Sequence, residues 1–146
     1  MDTIKIKKLN ENAIVPNRAT AGSAGMDLCA CMQAPITIAP RELVTVPTGI
    51  AIALPNSGCV ALLFGRSGLG VKHGISLSNS VGVIDSDYRG EIKVGLCNLS
   101  DTSYTIQPNE RIAQLVITPV LPMPVLQVDE LDETVRGEGG FGSTGK

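Results

Sequence analysis

A glycine-rich block, Gly65-Arg66-Ser67-Gly68-Leu69-Gly70, follows directly on the apolar run Cys59 to Phe64. Its residue types suit an anion: glycines let main-chain amides approach, Arg66 brings a forked guanidinium and Ser67 a hydroxyl, which together could make a phosphate nest. The same block would also serve as a surface turn with a stray Arg. Further on, the apolar stretch Val81 to Ile84 leads into Asp85, Asp87 and Tyr88. Apolar neighbours would desolvate Asp85 and raise its pKa toward a value useful in a general base. Equally, Asp85 and Asp87 fit turn residues that bond their own backbone. The C-terminal RGEGGFGSTGK is either a solvated end or a flap that orders over a ligand, and composition alone does not choose. Gly140 and Gly145-Lys146 match the start of a phosphate-binding loop motif, but the strand before it, the helix after it and the hydroxyl residue that the motif needs are missing.

The elements that must hold these residues read as strands. Ile4 and Ile6, Leu43, Thr45 to Pro47, Ile50 and Ile52, Val60 and Leu62, Ile92 and Val94, and Val116 to Val120 alternate or form short apolar runs. Between them stand Pro35, Pro40, Pro47, Pro55, Asn56 to Gly58, Gly74, Arg89-Gly90 and Pro108-Asn109, turn chemistry at the spacing of an all-β sandwich or barrel. With 9 Pro and 16 Gly the chain has room for at most one short helix, over Ser67 to Lys72 or Glu110 to Leu115.

A chain of 146 residues supports one domain with a real core, burying roughly 70% of its unfolded surface. Two Phe, two Tyr and no Trp leave that core to Val, Ile, Leu and Ala. A net charge of −2 supplies no basic field for a nucleic-acid polymer. No apolar stretch approaches the ~20 residues that span a bilayer, and the N-terminus lacks a signal-peptide core, so a soluble, cytoplasmic protein is expected. The 4 Cys sit in apolar contexts, and with a single His they offer no zinc spacing, which favours buried free thiols.

Five blocks in order, AGSAGMDL from Ala21, GRSGLG from Gly65, NSVGVIDSDYRGEI from Asn79, ERIAQLVI from Glu110 and RGEGGFGSTG from Arg136, closely resemble the five motifs of the trimeric dUTPase family. The resemblance covers almost the whole chain. It implies an all-β jelly roll over residues 1–135 and a flexible Gly-rich arm over 136–146 that closes over a neighbouring subunit's active site in a homotrimer.

It further implies a dUTP diphosphatase. Asp85 would be the general base that activates water for attack on the α-phosphorus. Asn79 and the backbone of Gly82, Val83 and Ile84 would read uracil, with Lys93 adding backbone contacts, and Tyr88 would lie under the deoxyribose and exclude a 2′-hydroxyl. Arg66, Ser67, Gly68 and Gln114 would hold the phosphates. From the arm, Arg136 would add charge, Phe141 would stack on the uracil and Gly142 would join the substrate contacts. Mg²⁺ would be held through the phosphates and water rather than by side chains. Asp27 would support the phosphate loop or the trimer. Met26 and Gly68 depart mildly from the family's usual large apolar residue and Ser. The two rival readings are a dCTP deaminase of the same fold, which the GVIDSDYRG block and the tail argue against, and a non-catalytic nucleotide-binding module, which would be expected to lack Asp85, Arg66 or the tail.

Overall fold

A computed structural model describes residues 3–141. Along these the chain forms β1 (Lys5–Lys8), β2 (Met26–Cys29), β3 (Ile36–Ile38), β4 (Leu43–Pro47), β5 (Ile50–Ala53), β6 (Cys59–Phe64), α1 (Ser67–His73), β7 (Ile75–Leu77), β8 (Gly82–Ile84), β9 (Lys93–Asn98), β10 (Tyr104–Ile106) and β11 (Arg111–Pro119). The strands pair antiparallel throughout, as a four-stranded sheet β2-β11-β6-β8, a three-stranded sheet β4-β9-β7, and the two-stranded pairs β1-β5 and β10-β3. This is the all-β architecture with a single short helix that the turn spacing predicts. The helix falls at Ser67, and the other candidate, Glu110 to Leu115, belongs to β11.

Two turns of one design reverse the chain. Ala39-Pro40-Arg41-Glu42 links β3 to β4, and Gln107-Pro108-Asn109-Glu110 links β10 to β11. In each, proline presets the second position, and the third residue takes the left-handed conformation (Arg41 φ 68°, Asn109 φ 65°). Each closes with an i+3 amide on the first carbonyl at 3.1 Å. Each glutamate then accepts the first residue's N–H, Glu42 from Ala39 at 2.7 Å and Glu110 from Gln107 at 2.8 Å. Glu110 also accepts the Tyr104 hydroxyl. Burial, followed by that bond, pushes the Tyr104 phenol up to about 12 and keeps it a donor.

Inward residues of both larger sheets meet in one aliphatic core: Leu28, Ala61, Leu63 and Leu115 from one face Val46, Ile75, Val94 and Leu96 from the other. Among the described residues two polar side chains, Thr48 and Asn98, are buried beside this core. Asn98 donates to Ile38 O at 3.0 Å and Thr102 O at 2.7 Å, and accepts from the Ser100 amide and hydroxyl at 2.9 and 2.7 Å. Its amide thus ties β9 to β3 and to the loop before β10. Beyond Pro119 the chain runs without a strand to residue 141, and Leu121, Met123, Val125, Leu126 and Leu131 lie exposed.

The Asn98 network generates a stability prediction. Asn98→Ala strands the buried Ile38 carbonyl, so it should lower the unfolding free energy by about 2–3 kcal/mol, read as a fall in urea midpoint at unchanged m.

Candidate functional site

Strands β6, β8 and β9 and the turns flanking β8 enclose a cavity of about 400 Å³, within the size range of small-molecule sites. Leu63, Leu77, Ile84, Ile92 and Val94 give it apolar walls, and Asn79, Asp85, Tyr88, Glu91 and Lys93 bring polar groups to it. Two glycines bring main chain close to neighbouring side chains here. A Cβ on Gly82 would stand 3.0 Å from the Leu63 Cβ, and one on Gly95 would meet the Ser78 hydroxyl, which would have to turn away. Gly82, Val83, Ile84, Asn79, Tyr88 and Lys93, singled out from sequence as base and sugar contacts, are therefore brought together here with Asp85.

The turn after β8 closes through its main chain, with the Tyr88 amide donating to Asp85 O at 3.2 Å. Arg89 tightens it by donating to the carbonyls of Ser86 and Tyr88 at 2.7 and 2.9 Å. The turn thus closes on main-chain carbonyls, and Asp85 lines the cavity. Asp85 is exposed in the protomer, so the apolar enclosure expected from its sequence neighbours is not supplied by one copy of the chain.

A second group of polar side chains lies on the outer face of the four-stranded sheet. Asp27 accepts from Arg66 Nε at 3.0 Å through one oxygen and from Arg111 at 3.2 Å through the other. Arg66 also donates to the Arg111 carbonyl at 3.2 Å, and Gln114 Nε2 to Gly65 O at 2.9 Å. A Cβ on Gly25 would stand 2.7 Å from the Gln114 side-chain oxygen, so Gly25 leaves that amide its room. Ser67 and Gly68 begin α1, whose N-terminus carries no side-chain cap. First-turn amides, two guanidiniums and an amide side chain make this a surface for an anion.

Arg111 was not foreseen. It lies two residues before the buried Ala113, where strict alternation would aim it into the core. A register shift between Arg111 and Ala113 against β2 places Ile112 and Ala113 both inward and turns Arg111 out toward Asp27. The sequence signal was two adjacent core-type residues inside an otherwise alternating strand. Glu91 was also missed. Its carboxylate accepts the Gly49 amide at 2.9 Å and stands 3.8 Å from the Lys93 ammonium.

One protomer does not join the two groups. In the β6–β8 register Leu63 pairs with Gly82 and Ala61 with Ile84, so Asp85 lies beyond one end of the ladder and Arg66 beyond the other. At about 3.3 Å per residue the separation is roughly 15–20 Å. Arg66, Ser67, Gly68 and Gln114 are absent from the cavity lining. The described part of the arm, residues 136–141, does not line it either: Arg136 Nε donates to Gly139 O at 2.8 Å and Phe141 is exposed, while Gly142 lies outside the described residues.

The dUTPase family model matches residues 11–145. A deoxyuridine 5'-triphosphate nucleotidohydrolase of Janthinobacterium sp. (strain Marseille) is 53% identical, with 100% of this chain and 99% of that protein covered. Another, of Aeromonas salmonicida, is 54% identical over 90% of this chain and 87% of its own length. Among solved structures, the Staphylococcus bacteriophage 80alpha dUTPase with dUPNHPP superposes with a TM-score of 0.89 at 31% identity, covering 99% of each chain.

The anion surface carries its own reporter. Cys29 neighbours Asp27 on β2, and burial, then the Asp27 carboxylate, push its thiol up, against the lowering pull of Arg111 and Arg66. Asp27→Asn removes a raising cause and keeps both guanidiniums. Alkylation of Cys29 at pH 8, followed by peptide mass spectrometry, should accordingly run faster in the variant.

Proposed function

The chain belongs to the dUTPase family, and on that premise we propose a division of labour in which one copy reads the nucleoside and another holds its phosphates. The reaction is hydrolysis of dUTP to dUMP and diphosphate. The observation that carries the proposed site is the β8–β9 cavity, in which Asn79, Gly82, Val83 and Ile84 line the same space as Asp85. Uracil shows an N–H donor beside its O4 acceptor. Cytosine reverses that pattern and would leave polar groups unpaired, a penalty of about 1–3 kcal/mol for each. Thymine's methyl would meet a hairpin that has no spare room. Lys93 adds main-chain contacts to the base, and Tyr88 lies under the deoxyribose.

Asp85 acts as general base, orienting water and taking its proton as the water attacks the α-phosphorus; diphosphate leaves. Arg66, Ser67, Gly68 and Gln114 hold the phosphates, where positioning and charge stabilisation supply most of the catalysis. Both oxygens of Asp27 are engaged by arginines, so this carboxylate is committed to side-chain positioning. Mg²⁺ would accordingly arrive on the triphosphate, held through phosphate oxygens and water and neutralising their charge. The roughly 15–20 Å between Asp85 and Arg66 supports a homotrimer with interfacial sites, since a second copy can bring its own Arg66 to the first copy's cavity. The exposed apolar residues from Leu121 to Leu131 support it as well, being surface that a neighbouring copy would cover. Residues 1–135 form the enzyme body. The arm, residues 136–146, then folds over a neighbour's site, with Arg136 on the phosphates, Phe141 on the uracil ring and Gly142 in the same stretch. Among the described residues no helix is long and apolar enough to cross a membrane. The proposed enzyme acts on the free nucleotide pool of the cytoplasm.

The deciding assay follows pyrophosphate with Mg²⁺ from dUTP, dCTP, dTTP and UTP, with ammonia monitored for dCTP. Release from dUTP alone is expected; ammonia would mean a deaminase, and silence on all four a binding module. Asp85→Asn should lower kcat by about 10²–10⁴-fold while nucleotide affinity holds. Truncation before Arg136 should cut turnover and leave the unfolding midpoint in place. Mixing inactive Asp85→Asn with inactive Arg66→Ala subunits through unfolding and reassembly should restore about a quarter of the sites, the fraction in which each shared site draws its intact half from the other variant. No recovery would mean that each site is built within one chain.

A further inference from the structure

Tyr88 is half-exposed, yet its ring is held in one place. The hydroxyl donates to Glu91 O at 3.1 Å. The ring lies against the main chain of Gly90 so closely that a Cβ there would stand 2.6 Å from the ring Cζ and 3.0 Å from Cε2, and nearer still to the hydroxyl oxygen. Gly90 is not among the residues with positive φ, so its backbone conformation does not demand glycine. What demands it is the volume of the Tyr88 ring.

The neighbouring anchor is rigid. The Glu91 carboxylate accepts the Gly49 amide at 2.9 Å. Gly49 is fixed in turn by its left-handed φ of 69° and by Cys31 Sγ and Ala13 Cβ, which would meet an added Cβ at 2.7 and 2.8 Å. On the other side the Ile92 carbonyl takes the Thr48 hydroxyl at 2.6 Å. A methyl group on residue 90 therefore cannot be relieved by moving the anchored segment 90–92 that leads into β9. It is relieved by swinging the Tyr88 side chain about its χ1 bond into solvent, where the ring already has one open face.

We propose that Gly90 is a positioning residue for sugar selectivity: the gap left by its missing side chain seats the Tyr88 ring, and filling that gap admits a 2′-hydroxyl. This rests on the reading above that Tyr88 lies under the deoxyribose. The Glu91 hydrogen bond sets the ring's rotation, and the Gly90 gap sets its depth. A side chain at 90 acts on the sugar only through Tyr88.

The test is the ratio of kcat/KM for dUTP to that for UTP in full-length Gly90→Ala, Tyr88→Ala, Tyr88→Phe and the Gly90→Ala/Tyr88→Ala double variant. Gly90→Ala should lower the ratio about tenfold or more, mainly through a lower KM for UTP. A merely destabilised enzyme would instead lose activity on both substrates alike. The double variant should discriminate no worse than Tyr88→Ala, because the two changes act through one ring. Tyr88→Phe should keep the ratio within about threefold, since the ring stays seated without its hydroxyl. If Tyr88→Ala leaves the ratio intact, Tyr88 does not guard the sugar and the underlying reading falls. If Tyr88→Ala relaxes it while Gly90→Ala does not, or if Tyr88→Phe relaxes it fully, that reading stands and the role of Gly90 is overturned.

Discussion

Strand β6 pairs with β8 along one edge and β11 along the other, and this double register governs what the rest of the molecule can do. The β8 pairing draws the hairpin bearing Asp85 against Leu63 and forms the cavity beside it. The β11 pairing sets Gln114 opposite Phe64, where the chain leaves the strand for Gly65 and Arg66. A strand cannot slip by one residue without exchanging its buried and exposed faces, so the core residues Ala61 and Leu63 lock both pairings at once. The two groups of polar residues are thereby held at opposite ends of one short strand. Chemistry that needs both must look beyond the protomer.

The cavity owes its shape to side chains that are missing. Gly82 and Gly95 bring main chain against Leu63 and Ser78, and Gly90 makes room for a ring. Lining the proposed site with main chain and a tightly seated aromatic has a physical advantage. Both are pre-ordered before substrate arrives, so little conformational entropy is lost on binding. Around the cavity the polar groups are held by anchors outside it, Glu91 by Gly49 and the turn after β8 by Arg89.

An acidic protein that handles a polyanion must concentrate its cations, and the cluster around Asp27 does so. A carboxylate between two guanidiniums holds them together in a half-buried place and leaves the group with an excess positive charge. The arginines are thus oriented in advance, and the bulge in β11 is what makes the second one available. The nearby thiol registers the same balance of charges.

From sequence alone the all-β class, the single short helix and half of the strands were legible, because β1, β4, β5, β6, β9 and the C-terminal half of β11 lie in or beside recurring apolar residues. Strands β2, β3, β7, β8 and β10 were not, since their three or four residues stand next to glycines, prolines and polar residues that blur any period, and only pairing defines them. Glu110 to Leu115 read equally as a helical turn because Ile112 and Ala113 are adjacent and both apolar, which is the mark of a bulge once the partner strand is known. The residue types of the site were legible for a related reason: Arg66, Asp85 and Tyr88 stand in ordered blocks whose chemistry is local. Their arrangement was not. Which residues share a cavity, that Asp85 stays exposed in one copy, and that Arg111 and Glu91 support the two groups depend on contacts between residues distant in the chain. Such contacts are fixed by strand register and packing, and those only the tertiary structure decides.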